Sequence, residues 1–253
     1  MTSSLPVSPW LLSARARPGA RIRLFCFHHA GGGASFFRAW ADGLPAEIEL
    51  YPVQLPGREN RVRETPFRQF DALIQELVPA LRPYLTMPFA FFGHSMGALL
   101  SYALALQLRR QGEPQPLHLF ASAYRAPQLP NAEILHTLSD DDLVKALALF
   151  NGTNQEILAD KELQRFFLPI LRADFSVCET YNHAEEEPLD CPISVFGGLQ
   201  DKRVGREALQ EWQALTHQAF LLRMFPGDHF FLQEMRLPLL QLITRELLQA
   251  HTT

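Results

Sequence analysis

The feature that most restricts the fold is an apolar run that leads directly into a glycine-rich turn and then into a helical pattern. The run Phe89–Phe92 is followed by Gly93-His94-Ser95-Met96-Gly97, and residues 98–104 continue with helical spacing. This is the G-x-S-x-G pattern of a nucleophile elbow, in which the serine sits on a strained strand-to-helix turn with its hydroxyl exposed. The spacing therefore predicts a strand–turn–helix unit with Ser95 as the candidate nucleophile.

Short apolar runs alternate with longer helical patterns along most of the remaining chain, which favours βαβ units and a mostly parallel sheet with helices on both faces. Together with the elbow, this alternation predicts an α/β protein with the α/β-hydrolase fold. The predicted strands are Ile22–Phe27, Ile48–Val53, Phe89–Phe92, Leu117–Ser122, Ile193–Phe196 and Phe220–Phe225. The predicted helices cover about 68–84, 97–110, 205–215 and 237–249.

Residues 1–20 lack a clear period and are predicted to be a tail, with a single domain over 21–253. No strand pattern occurs between about 128 and 188, where one helix is expected after the N-cap Ser139 and another over about 161–181. We expect this helical insertion to be a lid. The phenylalanines on its apolar stripes are candidate substrate-lining residues, although such a stripe is also typical of plain core packing: Phe150, Phe166, Phe167 and Phe175.

Composition excludes several other classes of function. The formal net charge is −4, which does not favour a nucleic-acid partner. The three cysteines have no metal-ligand spacing. We expect neither a metal nor another cofactor. No run of about 18 apolar residues occurs, and the N-terminus does not read as a signal peptide. These patterns predict a cytoplasmic protein, and we expect a monomer.

The serine needs a base and an orienting carboxylate, which in this fold follow it in the order Ser, Asp or Glu, His. Of the later histidines, His229 is favoured because it follows the last predicted strand at the sheet edge that also carries Ser95. Asp201 follows the preceding strand at the same edge and is the preferred carboxylate. Asp228 is the alternative, but it is adjacent to His229 in sequence and poorly placed to reach the ring Nδ1.

An oxyanion hole needs two backbone N–H groups. One is expected from Met96, the residue after the nucleophile. The second is expected from the glycine-rich loop 28–35, which follows the first strand. This loop lacks the G-x-G-x-x-G spacing and the lysine of nucleotide-binding loops, so a phosphate-binding role is weakly supported.

Beyond the elbow, the chain resembles the type II thioesterases that accompany polyketide synthases and nonribosomal peptide synthetases. The matching stretches follow in order along the chain: His29-Ala30-Gly31-Gly32, Gln54-Leu55-Pro56-Gly57-Arg58-Glu59, Gly93–Ala98, Leu171-Arg172-Ala173-Asp174-Phe175, Cys191-Pro192-Ile193 and His229-Phe230-Phe231-Leu232. The second and fourth stretches are not general hydrolase features. His28 and Asp228 stand where this family usually has proline and glycine.

The resemblance implies hydrolysis of acyl groups from the phosphopantetheine arm of acyl or peptidyl carrier proteins, as an editing step. It implies a triad of Ser95, Asp201 and His229, and oxyanion N–H groups from Ala30 and Met96. Because carrier proteins are usually acidic near the arm, a cluster of arginines is a candidate docking patch: Arg58, Arg61, Arg63 and Arg68. The alternatives are a medium-chain fatty-acyl thioesterase or esterase and, from another class, a non-catalytic carrier-binding module.

Overall fold

The computed structural model describes residues 8–12, 17–131, 133–148 and 159–249. Its centre is a six-stranded sheet with the order β2-β1-β3-β4-β5-β6, in which every neighbouring pair is parallel. The strands are β1 (Ile22–Phe27), β2 (Ile48–Pro52), β3 (Phe89–His94), β4 (Leu119–Ser122), β5 (Ile193–Gly198) and β6 (Phe220–Phe225). The parallel α/β prediction is therefore confirmed.

The described helices are α1 (Phe70–Leu81), α2 (Met96–Arg110), α3 (Asp140–Ala148), α4 (Lys161–Glu179), α5 (Arg206–Gln210) and α6 (Arg236–Gln249). Short 3-10 helices cover Ala34–Gly43, Glu59–Arg61, Arg82–Tyr84 and Glu211–Leu215. The helix over Ala34–Gly43 has no counterpart among the sequence predictions. It buries Phe37 and Trp40 against the sheet.

Two apolar cores cover the two faces of the sheet, because successive strand residues point to opposite sides. In β1, Phe25 and Phe27 belong to the core under α1 and α2, whereas Leu24 and Cys26 belong to the core under α6. All six residues of β1 are buried. This accounts for the largely apolar strand sequences, which would alternate regularly with polar residues if one face met water.

The helical insertion between β4 and β5 has a small apolar core of its own. α3 and α4 pack through Leu143, Leu147, Leu168 and Phe175, and the partly buried Ala30 of the loop after β1 packs against this cluster. Ser139 caps α3 as predicted, since its Oγ accepts the backbone N–H of Asp142 at 3.2 Å. The insertion therefore lies directly over the glycine-rich loop.

The prediction that residues 1–20 form a tail must be corrected, because the described part of this segment packs on the domain. Leu11 is buried and forms an antiparallel bridge with Val53, and Trp10 stacks under the guanidinium of Arg61 at 4.3 Å. Arg17 donates to the backbone carbonyls of Leu44 and Ile48 at 2.9 and 3.2 Å. Among the helices that the structure describes, none combines the length and apolarity required to cross a bilayer.

Candidate active site

Ser95 occupies the turn between β3 and α2 with φ +53° and ψ −119°, a conformation that non-glycine residues rarely adopt. Its backbone N–H donates to the carbonyl of Ser122 at the end of β4, at 2.7 Å. Ser95 is partly exposed while the residues on either side of it are buried. The tight turn therefore presents the serine hydroxyl at the carboxyl edge of the sheet.

The two elbow glycines are required by close backbone approach. A Cβ on Gly93 would lie 2.0 Å from the carbonyl oxygen of Gly97, within the elbow itself. A Cβ on Gly97 would lie 2.1 Å from the carbonyl oxygen of Phe27, at the end of β1. Any larger residue would push α2 away from the sheet, which explains the spacing seen in the sequence.

Asp201 and His229 meet at the same edge. His229 Nδ1 lies 2.8 Å from Asp201 Oδ2, and both side chains are almost fully withdrawn from solvent. Burial alone raises the pKa of Asp201. Hydrogen bonds from His229 and from the backbone N–H groups of Arg203 and Val204 outweigh that effect, so the pKa of Asp201 lies below its ordinary value. The carboxylate is therefore ionised and can hold the imidazole in one orientation.

The loops that carry these two residues are tied to each other. The backbone N–H of Gln200 donates to the carbonyl of Gly227 at 2.9 Å, and the Gln200 side chain accepts the N–H of Gly227 at 2.5 Å. Asp228, the alternative carboxylate, instead accepts the backbone N–H of Phe230 at 2.8 Å. The geometry thus pairs His229 with Asp201 and gives Asp228 a turn-forming role.

The rings of His94 and Phe230 pack beside that of His229. The ring of His94, beside Ser95 in sequence, has its centroid 5.4 Å from that of His229, and His29 lies 5.9 Å from His94. Burial is the main reason why the pKa of His29 is lowered to about 3 and that of His94 lies well below its usual value. Both rings are therefore neutral at pH 7. The described hydrogen bonds do not include one between the Ser95 hydroxyl and His229.

The predicted oxyanion donors lie on the two segments that flank Ser95. Met96 is the first residue of the 15-residue helix α2, where backbone N–H groups lack an intrahelical acceptor and the helix dipole favours negative charge. Ala30 lies in the loop directly after β1, and in the described structure its N–H donates no hydrogen bond. Both amides are therefore available to a ligand.

The glycine-rich loop is held by residues of the Gln54–Glu59 stretch, a role that sequence reasoning missed. Gln54 is fully buried, and its side-chain oxygen accepts the backbone N–H of Ala34 at 2.9 Å. Glu59 accepts both the N–H and the hydroxyl of Ser35, at 3.2 and 2.5 Å. The only signal in the sequence was that this stretch is peculiar to the family that the chain resembles.

For two of the candidate docking arginines the prediction is wrong, because both are buried. Arg58 is 5% exposed and forms a bidentate ion pair with Asp174, while Arg61 is 6% exposed and bonds to Glu64 and to the carbonyl of Gln54. Their guanidinium groups are held inside the fold and cannot meet a partner protein. Arg63 and Arg68 are exposed.

The phenylalanines predicted to line the substrate site differ in burial. Phe175 is buried in the core of the insertion, Phe166 is 54% exposed, and Phe167 is half-buried with its ring 5.4 Å from that of Phe166. Phe150 lies outside the described residues. A surface groove is present between α1, α2 and residues 181–186, and the predicted site residues do not line it.

The parallel sheet, the strained turn at Ser95 and the Asp201–His229 pair at the same edge define an α/β-hydrolase. The profile of the Thioesterase domain family matches residues 22–246. The gramicidin S biosynthesis protein GrsT of Aneurinibacillus migulanus is 42% identical over 248 residues, which cover 98% of this chain and 97% of that protein.

Two solved structures are similar over nearly their whole length. RedJ, a thioesterase from the prodiginine pathway of Streptomyces coelicolor, matches with a TM-score of 0.85 and 39% identity over 93% of this chain and 90% of that chain. BorB, the type II thioesterase from the borrelidin cluster, matches with a TM-score of 0.86 and 36% identity, covering 96% and 99%. The chain belongs to the thioesterase family and is a hydrolase of thioester bonds. The predicted fold and enzyme class are confirmed.

Proposed function

We propose that this protein is a type II thioesterase, which hydrolyses acyl groups from the phosphopantetheine arm of carrier proteins in polyketide or nonribosomal peptide synthesis. The observation that carries the proposal is the Asp201–His229 pair at 2.8 Å, at the sheet edge where the elbow presents Ser95. The names of GrsT and BorB support the pathway context.

The mechanism is a two-step acyl transfer. His229 takes the proton of the Ser95 hydroxyl, and the serine oxygen attacks the thioester carbonyl while Asp201 stabilises the imidazolium. The oxyanion is held by the N–H groups of Ala30 and Met96, each worth about 2.7–4 kcal/mol of barrier lowering by comparison with known oxyanion donors. The arm departs as a thiol after receiving the proton from His229. Water activated by His229 then hydrolyses the acyl-serine.

The geometry of the site is compatible with this sequence of steps. Catalytic hydrogen bonds often tighten only when substrate binds, so this mechanism does not require the Ser95 hydroxyl to bond to His229 beforehand. The neutral His29 and His94 add no positive charge that would disfavour protonation of His229 during attack. The insertion α3–α4 acts as the lid over the acyl chain, with Phe166 and Phe167 as the remaining candidate contacts.

The carrier protein docks through the exposed arginines that follow the Gln54–Glu59 stretch, Arg63 and Arg68. We place the enzyme in the cytoplasm as a monomer. Its cysteines support a reducing compartment, since Cys26, Cys178 and Cys191 are all free. Light scattering on the purified protein tests the oligomeric state.

The deciding experiment compares hydrolysis of one acyl group from a holo carrier protein, from coenzyme A and from a simple ester, with wild type beside Ser95→Ala. Faster turnover on the carrier, lost by about 10⁶-fold in the variant, is the expected result. Turnover only on coenzyme A or free esters would move the function to a general acyl hydrolase. Near-normal turnover by Ser95→Ala would refute the mechanism.

A further inference from the structure

A buried ion pair joins the insertion to the glycine-rich loop. On α4, Asp174 is 2% exposed, and its Oδ2 accepts the backbone N–H of Gly31 at 2.7 Å. The guanidinium of Arg58 grips both oxygens of the same carboxylate, at 2.6 and 2.8 Å, and also donates to the carbonyl of Gly32 at 3.2 Å. Three separate segments of the chain therefore meet at one carboxylate.

Stability alone does not account for this arrangement. Withdrawing two charges from water is costly, and well-packed apolar residues of similar size often stabilise a protein equally well or better. The pair nevertheless bonds to the glycine-rich loop itself, at Gly31 and Gly32, directly after the candidate oxyanion donor Ala30. Its contacts fall on the backbone next to Ala30.

The carboxylate fixes the peptide plane next to the one that donates to the oxyanion. The N–H of Gly31 belongs to the Ala30–Gly31 peptide, so its bond to Asp174 restricts the torsion of Ala30 and hence the direction of the Ala30 N–H. Gly31 has φ +76°, and a Cβ there would lie 2.6 Å from the Leu171 side chain. α4 thus touches the loop at two neighbouring points, and the loop takes its position from the helix.

The two charges have separable effects. A bare carboxylate beside the oxyanion hole would repel the negative charge that develops on the substrate, and this repulsion is strong where water is excluded. Arg58 pairs with that carboxylate and removes the net charge. Its second role, the bond to the carbonyl of Gly32, holds the far side of the same turn.

We propose that Asp174 and Arg58 are positioning residues of the oxyanion hole, which link the orientation of the Ala30 N–H to the place of the insertion helix α4. The inference rests on the proposed function only in taking Ser95 as the nucleophile and Ala30 as an oxyanion donor. It applies to any acyl substrate of this site.

The test uses a p-nitrophenyl ester and a trifluoromethyl ketone of the same chain length, which forms a tetrahedral adduct with the serine. Asp174→Leu should lower kcat by about 10²-fold, the usual cost of misplacing a catalytic group by about 1 Å, with KM changed less than about threefold. Its Ki for the ketone should rise by a similar factor. Asp174→Asn keeps the shape of the side chain and one acceptor oxygen, so the oxyanion donor should be only partly displaced. We expect kcat to fall by about tenfold in this variant.

Charge neutralisation is tested by a double variant. Arg58→Met leaves a buried carboxylate unpaired beside the oxyanion and should reduce kcat more than Arg58→Met combined with Asp174→Asn. If adding Asp174→Asn to Arg58→Met recovers no activity, the electrostatic part of the proposal is wrong.

The matched control is Glu179→Gln. Glu179 lies on the same helix and braces the insertion by accepting the N–H groups of Leu135 and His136 at 2.8 and 3.1 Å, without touching the loop 28–35. This variant should lose thermal stability and keep its kcat and Ki. Equal kcat in Asp174→Asn and Glu179→Gln, with both folded by circular dichroism, would reduce Asp174 to a plain anchor of the insertion.

The two proposals fail in different ways. Wild type that hydrolyses the ester but shows no preference for carrier-bound acyl groups would overturn the proposed function and leave the positioning role intact. Carrier preference with an unchanged Ki in both Asp174 variants would overturn the positioning role alone. If Asp174→Leu does not fold, the Asp174→Asn result decides the question.

Discussion

Replacing Gly97 by alanine would place a methyl group between α2 and the end of β1. The added Cβ would lie 2.1 Å from the carbonyl oxygen of Phe27, where an ordinary contact begins at 3.4 Å, so helix and strand must separate by about 1.3 Å. Gly97 follows Met96 and Phe27 leads into the loop that carries Ala30. Both candidate oxyanion donors should therefore move relative to each other.

The expected cost is about 1–3 kcal/mol of folding free energy from overpacking and about a 10²-fold loss of kcat from the displaced donors. Gly112 at the other end of α2 provides the matched control. It has φ +67°, and an added Cβ there meets no atom within 4 Å. Gly112→Ala should cost about 1–2 kcal/mol through backbone strain alone.

The assay is ester hydrolysis beside urea unfolding for both variants. We expect Gly97→Ala and Gly112→Ala to be destabilised by comparable amounts. Only Gly97→Ala should lose activity. If Gly97→Ala folds and retains wild-type kcat, or if the two variants lose activity equally, the claim that close approach at Gly97 sets the oxyanion geometry is refuted.

Three further predictions concern separate parts of the molecule. Asp201→Asn should lower kcat by about 10⁴-fold, because the amide no longer holds the His229 tautomer, and a loss under tenfold in ester hydrolysis would contradict the triad. Arg63→Glu should raise KM for a carrier-bound acyl group and leave KM for the ester unchanged, whereas equal changes would exclude docking there. Burial lowers the pKa of His118 to about 4, so the unfolded chain takes up a proton below about pH 6.5 that the folded protein refuses until about pH 4. The free energy of unfolding should therefore decrease as the pH is lowered from about 6.5 to about 4, by up to about 1.4 kcal/mol per pH unit. In urea titrations, His118→Gln should make the free energy of unfolding less dependent on pH in this window, without changing activity at pH 7.

The fold was predictable because its signals are local. β1 and β6 have the predicted bounds, and β3 and β5 each extend two residues beyond theirs. A strand buried on both faces is recognisable from a short apolar run, and a nucleophile elbow from its two glycines. The order of the chain through a parallel sheet then places Ser95, Asp201 and His229 at one edge.

The arginines show where such reasoning stops. In sequence, Arg58 and Arg61 belong to a basic cluster, which is usually solvated surface, and their burial follows only from partners elsewhere in the fold. The partner of Arg58 is 116 positions away on α4. No periodicity relates the two residues, and a pattern peculiar to a family indicates that a stretch matters without indicating what it contacts.

The sequence by itself determined the parallel sheet, the elbow and the identity of the candidate nucleophile, base and carboxylate, since each follows from spacing within a few residues and from strand order. Only the tertiary structure decided what holds the oxyanion loop, which arginines reach the surface and how the described part of residues 1–20 is bound. Those outcomes depend on side chains from distant segments that share one buried, low-dielectric place, where every charge and every backbone N–H must find a partner.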